Sequence, residues 1–279
     1  MRKYLLLFVV FALTTANVAM AQKTKSIELS LKKGKTYRQE ITSETSTSQE
    51  ISGMAQSMEL SNSLDLAFKV KGINSDGNYE IEVKLKNFSM QISQNGMELT
   101  YATDAPNGEN HPMLASQMDG VFEKIKNEEI TMVLTKKGKV ISTNANEILT
   151  PQQQQIFPLN KNTIEQMFSY IPEKEISKNS KFTKVEEDKG QKTTETSEFT
   201  VTSLSKKKIE LSSNGKITAT KKEEGKEDEV IEIGETSGTI TIDGKTGLII
   251  NALSDKNVKV EKDGNKIEST TKGTIKRIL

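Results

Sequence analysis

The chain has no cysteine, no tryptophan and one histidine, His111, and its arginines are only Arg2, Arg38 and Arg277. Without cysteine there can be no disulfide, thiolate nucleophile or thiolate metal centre, so stability has to come from packing. One histidine cannot build a histidine-rich metal site or a Cys/His pair within one chain. A Ser-His-Asp arrangement survives only formally, because His111 directly precedes Pro112 at the start of an expected helix, where a structural or exposed role is favoured. No Gly-x-Ser-x-Gly elbow accompanies it. Scarce arginine removes the usual bidentate reader of phosphates and base edges. Aromatic residues at 5% leave little for stacking on bases or sugars. With 39 basic and 38 acidic side chains, no charge-driven partner is implied, and nucleic-acid binding is disfavoured.

Long apolar runs are also missing. The most apolar stretch, Tyr4 to Leu13, falls well short of the roughly 20 residues of a membrane-spanning helix, so no transmembrane segment is expected. It lies between the positive charges of Arg2 and Lys3 and the small-residue site Ala19-Met20-Ala21, the pattern of a Sec-type secretory signal peptide cleaved between Ala21 and Gln22. The absence of a cysteine after the leader removes the usual bacterial lipid-attachment point. The expectation is a freely diffusing periplasmic or secreted protein.

What the chain does have is alternation. Leu64, Leu66, Phe68 and Val70 are separated by Asp65, Ala67 and Lys69, which is a strand with one buried face. After a turn at Asn74-Ser75-Asp76-Gly77, Tyr79, Ile81, Val83 and Leu85 point inward while Glu80, Glu82, Lys84 and Lys86 face water. The apolar phase then slips to Phe88, Met90 and Ile92, so Lys86-Asn87 predict a bulge that bends the strand. Thr131 to Thr143 reads as strand, Gly-containing turn, strand. Lys208 to Thr220 predicts a hairpin turning at Asn214-Gly215, and Val258, Val260 and Ile267 flank another turn at Asp263-Gly264. The fold class is therefore mainly β: one or more curved antiparallel sheets of successive hairpins.

Short helices interrupt this rhythm in the middle of the chain. Leu114, Met118, Val121, Phe122 and Ile125 predict a helix from about 112 to 126. Thr150-Pro151 opens a second that runs toward Phe157, and Ile164, Met167, Phe168 and Ile171 indicate a third over about 162 to 170, ended by Pro172. The β-rich part, 22–279, is either one domain or two lobes divided near 145–175. The mixed-charge run Lys221 to Glu229 reads as a solvated hairpin tip. Ile41 to Ser52, rich in Ser and Thr, reads as an exposed edge strand or a loop.

The segment GTITIDGKTGLII (Gly238 to Ile250) contains the Gly-Lys-Thr that ends a phosphate-binding loop. Gly238 stands one residue too far from Gly244, and strands rather than a helix flank the turn, so the expected structure is a hairpin at Asp243-Gly244 and Gly247 with Leu248 and Ile250 inward. Most acids alternate with lysine on outward strand faces or sit in turns, and none stands out as a catalytic pair. No calcium loop fits Asp76-Gly77 or Asp263-Gly264. No catalytic residue, cofactor or metal ligand is assigned. Met54, Met58, Met90, Met97, Met113, Met118 and Met132 crowd the first half; core filling is the favoured reading, and a groove for lipid-like ligands is the other.

Four stretches together, VKGINSDGNYEIEVKLKNFSMQIS, MVLTKKGKVIST, FSYIPEKEISKNSKFT and GTITIDGKTGLIINA, resemble bacterial exported proteins of domain of unknown function 6263, of the Bacteroidota type. The Tyr-x-Pro element at Tyr170 and the Thr246-Gly247 pair carry most of the resemblance. It implies export and a β-rich envelope protein, and brings over no catalytic residue. By looser analogy, a bent sheet with helices is similar to the half-barrel lipoprotein carriers of the periplasm, a likeness of fold alone. The expected function is a non-enzymatic envelope binding protein for a hydrophobic or lipid-like ligand. The alternative is a structural or interaction protein that docks an envelope partner through exposed strands, with 41–52 as the docking strand.

Overall fold

The computed structural model describes residues 24–51, 54–106, 108–148, 150, 167–168, 170–188, 192–221, 229–262 and 265–278. The expected cleavage site, Ala21 and Gln22, lies outside them, as do most of the second and third predicted helices; Met167, Phe168 and Tyr170, at the end of the third, stand in turns. Along the chain run β1 (Thr36–Ile51), β2 (Met54–Ile73), β3 (Tyr79–Gln94), β4 (Met97–Ala102), α1 (Pro112–Asn127), β5 (Ile130–Leu134), β6 (Val140–Thr143) and α2 (Ala145–Ile148). These are followed by β7 (Lys181–Asp188), β8 (Thr193–Leu204), β9 (Lys208–Lys221), β10 (Glu229–Asp243), β11 (Ile249–Lys262) and β12 (Asn265–Ile278). The twelve strands form one sheet in the order β6-β5-β3-β2-β1-β12-β11-β10-β9-β8-β7, with β4 beside the second half of β3. Pairing is antiparallel throughout, and the sheet is not closed into a barrel.

The alternating pattern sets the register. Val70 pairs with Ile81 and Phe68 with Val83, so one apolar face lines up across β2 and β3. The pairing then jumps from Leu66↔Leu85 to Asp65↔Asn87, which leaves Lys86 as the bulged residue where the phase slips. Helix α1 matches its predicted span and buries Leu114, Met118, Val121 and Ile125.

Four expectations need correction, the last of them at the Gly-Lys-Thr turn described below. Asn214-Gly215 is not a turn, because β9 runs straight through it, with Gly215 opposite Thr236 on one side and Ser197 on the other. A Cβ there would stand 2.5 Å from Thr236 Oγ1, so the glycine serves close strand approach rather than chain reversal. Residues 41–51 are neither edge nor loop: β1 is central, with β12 on one side and β2 on the other. Partners from opposite ends of the chain satisfy a polar strand that has too little apolar content to announce itself as interior. Glu82, predicted to face water, is 4% exposed under Lys71 and Lys84.

The core lies on one face of the sheet, here the inner face, and only over one half of the strands. Leu64, Leu66, Phe68, Ile81, Val83, Ile130, Met132, Leu134, Val201, Ile209, Leu211, Ile242 and Ile249 form it. The segment 24–35 crosses this half. Leu29 N–H donates to Lys136 O at 2.8 Å and Ser30 N–H to Thr246 O at 2.9 Å, linking the β5–β6 turn to the β10–β11 turn. Lys25 and Ile176 exchange two backbone hydrogen bonds, and the Tyr79 hydroxyl donates to Leu29 O at 2.8 Å. Ile27, Leu29 and Leu31 are thereby buried, each contributing about 2 kcal/mol of apolar burial. Only about 10 Å³ of free volume remains among Leu31, Phe68, Leu134, Phe168 and Leu248, too little for a ligand.

The turn at Gly-Lys-Thr is part of this closure. Asp243 Oδ1 accepts from Lys245 N–H at 2.8 Å, and Oδ2 is 2.5 Å from Arg277 Nη1. The inward residues after it are Leu248 and Ile249 rather than Leu248 and Ile250, because Ile249 pairs with Ile242 across a register shift. Burial opposes the charge on Asp243, but the bond from Arg277 and the backbone donors outweigh it, and the carboxyl is held below its ordinary value. A lowered carboxyl contributes stability above its unfolded value, near 3.8, and loses that contribution as pH falls through the folded value. Asp243→Asn should cost about 1–2 kcal/mol at pH 7. In thermal melts from pH 7 to pH 3, the gap to the parent should close below about pH 4.

Candidate functional site

Beyond the core the long strands continue, and the inner face changes character at a row of small residues. Ser43, Gly273, Ser254, Gly238 and Ser213 are successive cross-strand partners from β1 to β9. A Cβ on Gly238 would meet Leu253 O at 2.6 Å, and one on Gly273 would meet Ser254 Oγ at 2.6 Å. Glycines stacked this way let a sheet bend sharply.

The bend shows in one ion pair. Lys256 of β11 reaches Glu195 of β8 at 3.3 Å on the inner face, although β10 and β9 lie between them. Three strand spacings in a flat sheet separate backbones by about 14 Å, so the inner face is concave here.

On this distal inner face, β1 and β12 supply a floor whose polar groups are already paired. Thr45 Oγ1 meets Thr271 Oγ1 at 3.0 Å, Thr47 Oγ1 meets Ser269 Oγ at 3.1 Å, and Gln49 bonds Gln56 at 3.0 Å. With the hydroxyls engaged, the threonine methyls are what a ligand would meet. Met58 lies opposite Thr47, Gln94 opposite Met58, and Met97 opposite Gln94, while Met54 pairs with Ile51. Met54, Met58 and Met97 are 65%, 38% and 59% exposed, and Ile267, opposite Gln49, is 40% exposed. Leu60, Ile92 and Leu99 lie half-buried beside them, with Val258 and Val260 on the β11 side. The methionines thus divide: Met118 and Met132 fill the core, Met90 packs against it, and Met54, Met58, Met97 and Met113 are exposed.

Among the described residues, the opposite, outer face carries shallow polar hollows. One of about 470 Å³ is lined by Glu44, Ser61, Gln91 and Lys272, and a neighbour of about 440 Å³ by Thr42, Ser89, Thr100 and Asn110. The third, about 620 Å³, lies across β7 to β11 by Thr196, Asn214 and Thr236. Buried acids are each engaged by a base: Asp65 by Arg38, Asp243 by Arg277, and Glu82 by Lys84 and Lys71. The bond from Lys84, with that from Lys71, holds the Glu82 carboxyl low against its own burial. His111 stands before α1, where its backbone N–H donates to Thr100 O at 2.9 Å. Among the described residues no group of three or more His, Asp or Glu side chains is placed to hold a metal ion, and no helix is long and apolar enough to cross a membrane.

The model of a family of unknown function, DUF6263, matches residues 76–156 and 159–249. The chain belongs to this family. In this DUF6263 chain the two elements that carry the resemblance touch: the Tyr170 hydroxyl, fully buried, donates to Gly247 O at 2.7 Å. Burial raises the Tyr170 phenol far above its ordinary value, so it stays a donor. Gly247 has φ +73°, and a Cβ on it would lie 2.2 Å from Glu28 O. Both elements are therefore parts of the closure over the core.

Among solved structures, the attachment invasion locus protein Ail of Yersinia pestis, in complex with the heparin analogue sucrose octasulfate, is 5% identical, covers 87% of this chain and 99% of its own, and has a TM-score of 0.15. A DUF1329 family protein of Desulfovibrio piger ATCC 29098 is 10% identical, with coverage of 86% and 83% and a TM-score of 0.13. At such TM-scores these matches say nothing further about the chain. The distal face was only faintly legible in sequence: methionines alternate with polar residues in Met54-Ala55-Gln56-Ser57-Met58, but nothing local says that no described segment covers them.

Proposed function

We propose that this DUF6263 chain is a non-enzymatic, exported binding protein that holds a lipid-like ligand, such as a single acyl chain, along the distal inner face. One observation carries the reading: exposed Met54, Met58, Met97 and Ile267 share the distal inner face, which is concave across β8 to β11, while the proximal half of that face is already filled by residues 24–35, 167–168 and 170–176. Pliable methionine side chains adapt to irregular apolar ligands. The hydroxyls of Thr45, Thr271, Thr47 and Ser269 already bond one another, which lowers the cost of laying an acyl chain over them. The ligand would lie on the half of the sheet that no described segment covers, not inside the core.

The test is to purify the protein from its native envelope, extract it with solvent and identify bound molecules by mass spectrometry, alongside titration with a fluorescent fatty acid. The expected result is a co-purifying acyl species, and binding at least about tenfold weaker when Met54 and Met58 are both changed to Asp, from the loss of two apolar contacts. The melting temperature should hardly move, since both side chains are exposed. A protein that carries no lipid and takes up no probe would overturn the reading.

A further inference from the structure

The register of the distal inner face places one cross-strand row in the order Lys256, Thr271, Thr45, Leu60, Ile92 and Leu99, from β11 through β12, β1, β2 and β3 to β4. The row begins with a cation, passes over two threonines whose hydroxyls bond each other, and ends in three half-buried aliphatic side chains. The rows on either side, from Val258 to Met97 and from Ser254 to Tyr101, are uncharged across the same strands. Four strand spacings separate the backbones of Lys256 and Ile92 by about 19 Å, within the length of a long acyl chain. Polarity along the face therefore follows the order of a fatty acid, charge at one end and hydrocarbon at the other.

We propose that the ligand is a free long-chain monocarboxylate, held at its carboxylate by Lys256 with its chain laid toward Leu60, Ile92 and Met58. This rests on the acyl-binding reading of the face and adds the headgroup to it. Lys256 pairs with Glu195 of β8 at 3.3 Å, with side chains 44% and 29% exposed. A pair this open to water holds weakly. An ammonium has three donors, so Lys256 can take a ligand carboxylate while keeping Glu195. Where the ligand displaces Glu195, that carboxylate retains the bond donated by Ser197 Oγ at 3.2 Å. On the two strands between Lys256 and Glu195, Gly215 and Gly234 present no side chain, which leaves room for a headgroup beneath the pair. An esterified chain brings no charge to the ammonium, so the row selects the free acid.

Displacement of a fluorescent acyl probe by dodecanoate and by methyl dodecanoate tests this on the parent, Lys256→Gln and Glu195→Gln. The parent should bind the acid about tenfold more tightly than the ester, a preference that shrinks as salt is added. Lys256→Gln should weaken the acid about tenfold and leave the ester unchanged. Glu195→Gln should tighten the acid, because it removes a negative charge beside the ligand carboxylate. An ion pair that only braces the sheet would instead make both variants act alike, on acid and ester together. Circular dichroism and melting temperature serve as fold controls for each variant. Equal binding of acid and ester by the parent, or a Lys256→Gln variant that keeps the preference, overturns the headgroup assignment and leaves acyl binding standing. If neither the probe nor either compound binds, the acyl-binding reading falls with it.

Discussion

Gly247→Ala should lower stability by about 3 kcal/mol or more, the sum of a left-handed backbone imposed on a residue with a Cβ and a steric overlap in a packed site. Both terms act at the same atom. The backbone stands at φ +73°, and the new Cβ would come 2.2 Å from the carbonyl oxygen of Glu28. Relief would have to come from backbone, because the three nearest atoms to that Cβ all belong to the main chain of Glu28 and Leu29. Moving that segment would loosen the Ser30–Thr246 bond and the burial of Leu29. For a protein of this size the melting temperature should fall by about 6–12 °C. Gly34→Ala provides the comparison: its φ is +79°, but a Cβ there meets nothing within 4 Å, so only the backbone cost should appear. If the two variants melt together, the close packing at Gly247 is not what fixes the closure.

Removing the partner of Gly247 should be about as costly. Tyr170→Ala is expected to cost about 3–5 kcal/mol, since it deletes a large side chain that is 2% exposed and leaves a cavity. Tyr170→Phe separates the contributions. It keeps the ring but strands the Gly247 carbonyl away from water, for which about 1–3 kcal/mol is expected. Chemical denaturation of the three proteins with a shared slope would give both differences. A Phe variant as stable as the parent would mean that the buried hydroxyl contributes nothing and that the ring alone holds the closure. Tyr170→Phe in a Gly247→Ala background should cost less than in the parent, because groups that share one contact do not add.

How far the fold was legible follows from which residues alternate. In β2 and β3 the apolar phase, the turn at Asn74 to Gly77 and the slip at Lys86 were all readable, because the two strands are neighbours in sequence and one face of each is buried. Helix α1 was readable for the same reason, at its own period. Asn214-Gly215 misled because a dipeptide that favours a turn was read without the strands on either side of it. Its glycine answers to Thr236 and Ser197, which lie far along the chain. Residues 41–51 misled in the opposite direction: Ser, Thr and Glu look like an edge until β12, from the other end of the chain, pairs with them.

By itself the sequence determined the chemistry that is excluded and the local geometry. It carries no thiol, a single imidazole and few arginines, and its period-two hairpins come from side chains that act on their nearest neighbours. Only the tertiary structure decided which strands are interior, because that depends on partners brought together from distant parts of the chain. The same holds for the methionines. Met132 and Met58 both alternate along strands, yet Met132 lies in the half of the sheet that the chain covers with its own segments and Met58 in the half where no described segment does. Burial is a property of what packs against a residue, and a strand does not encode its own cover.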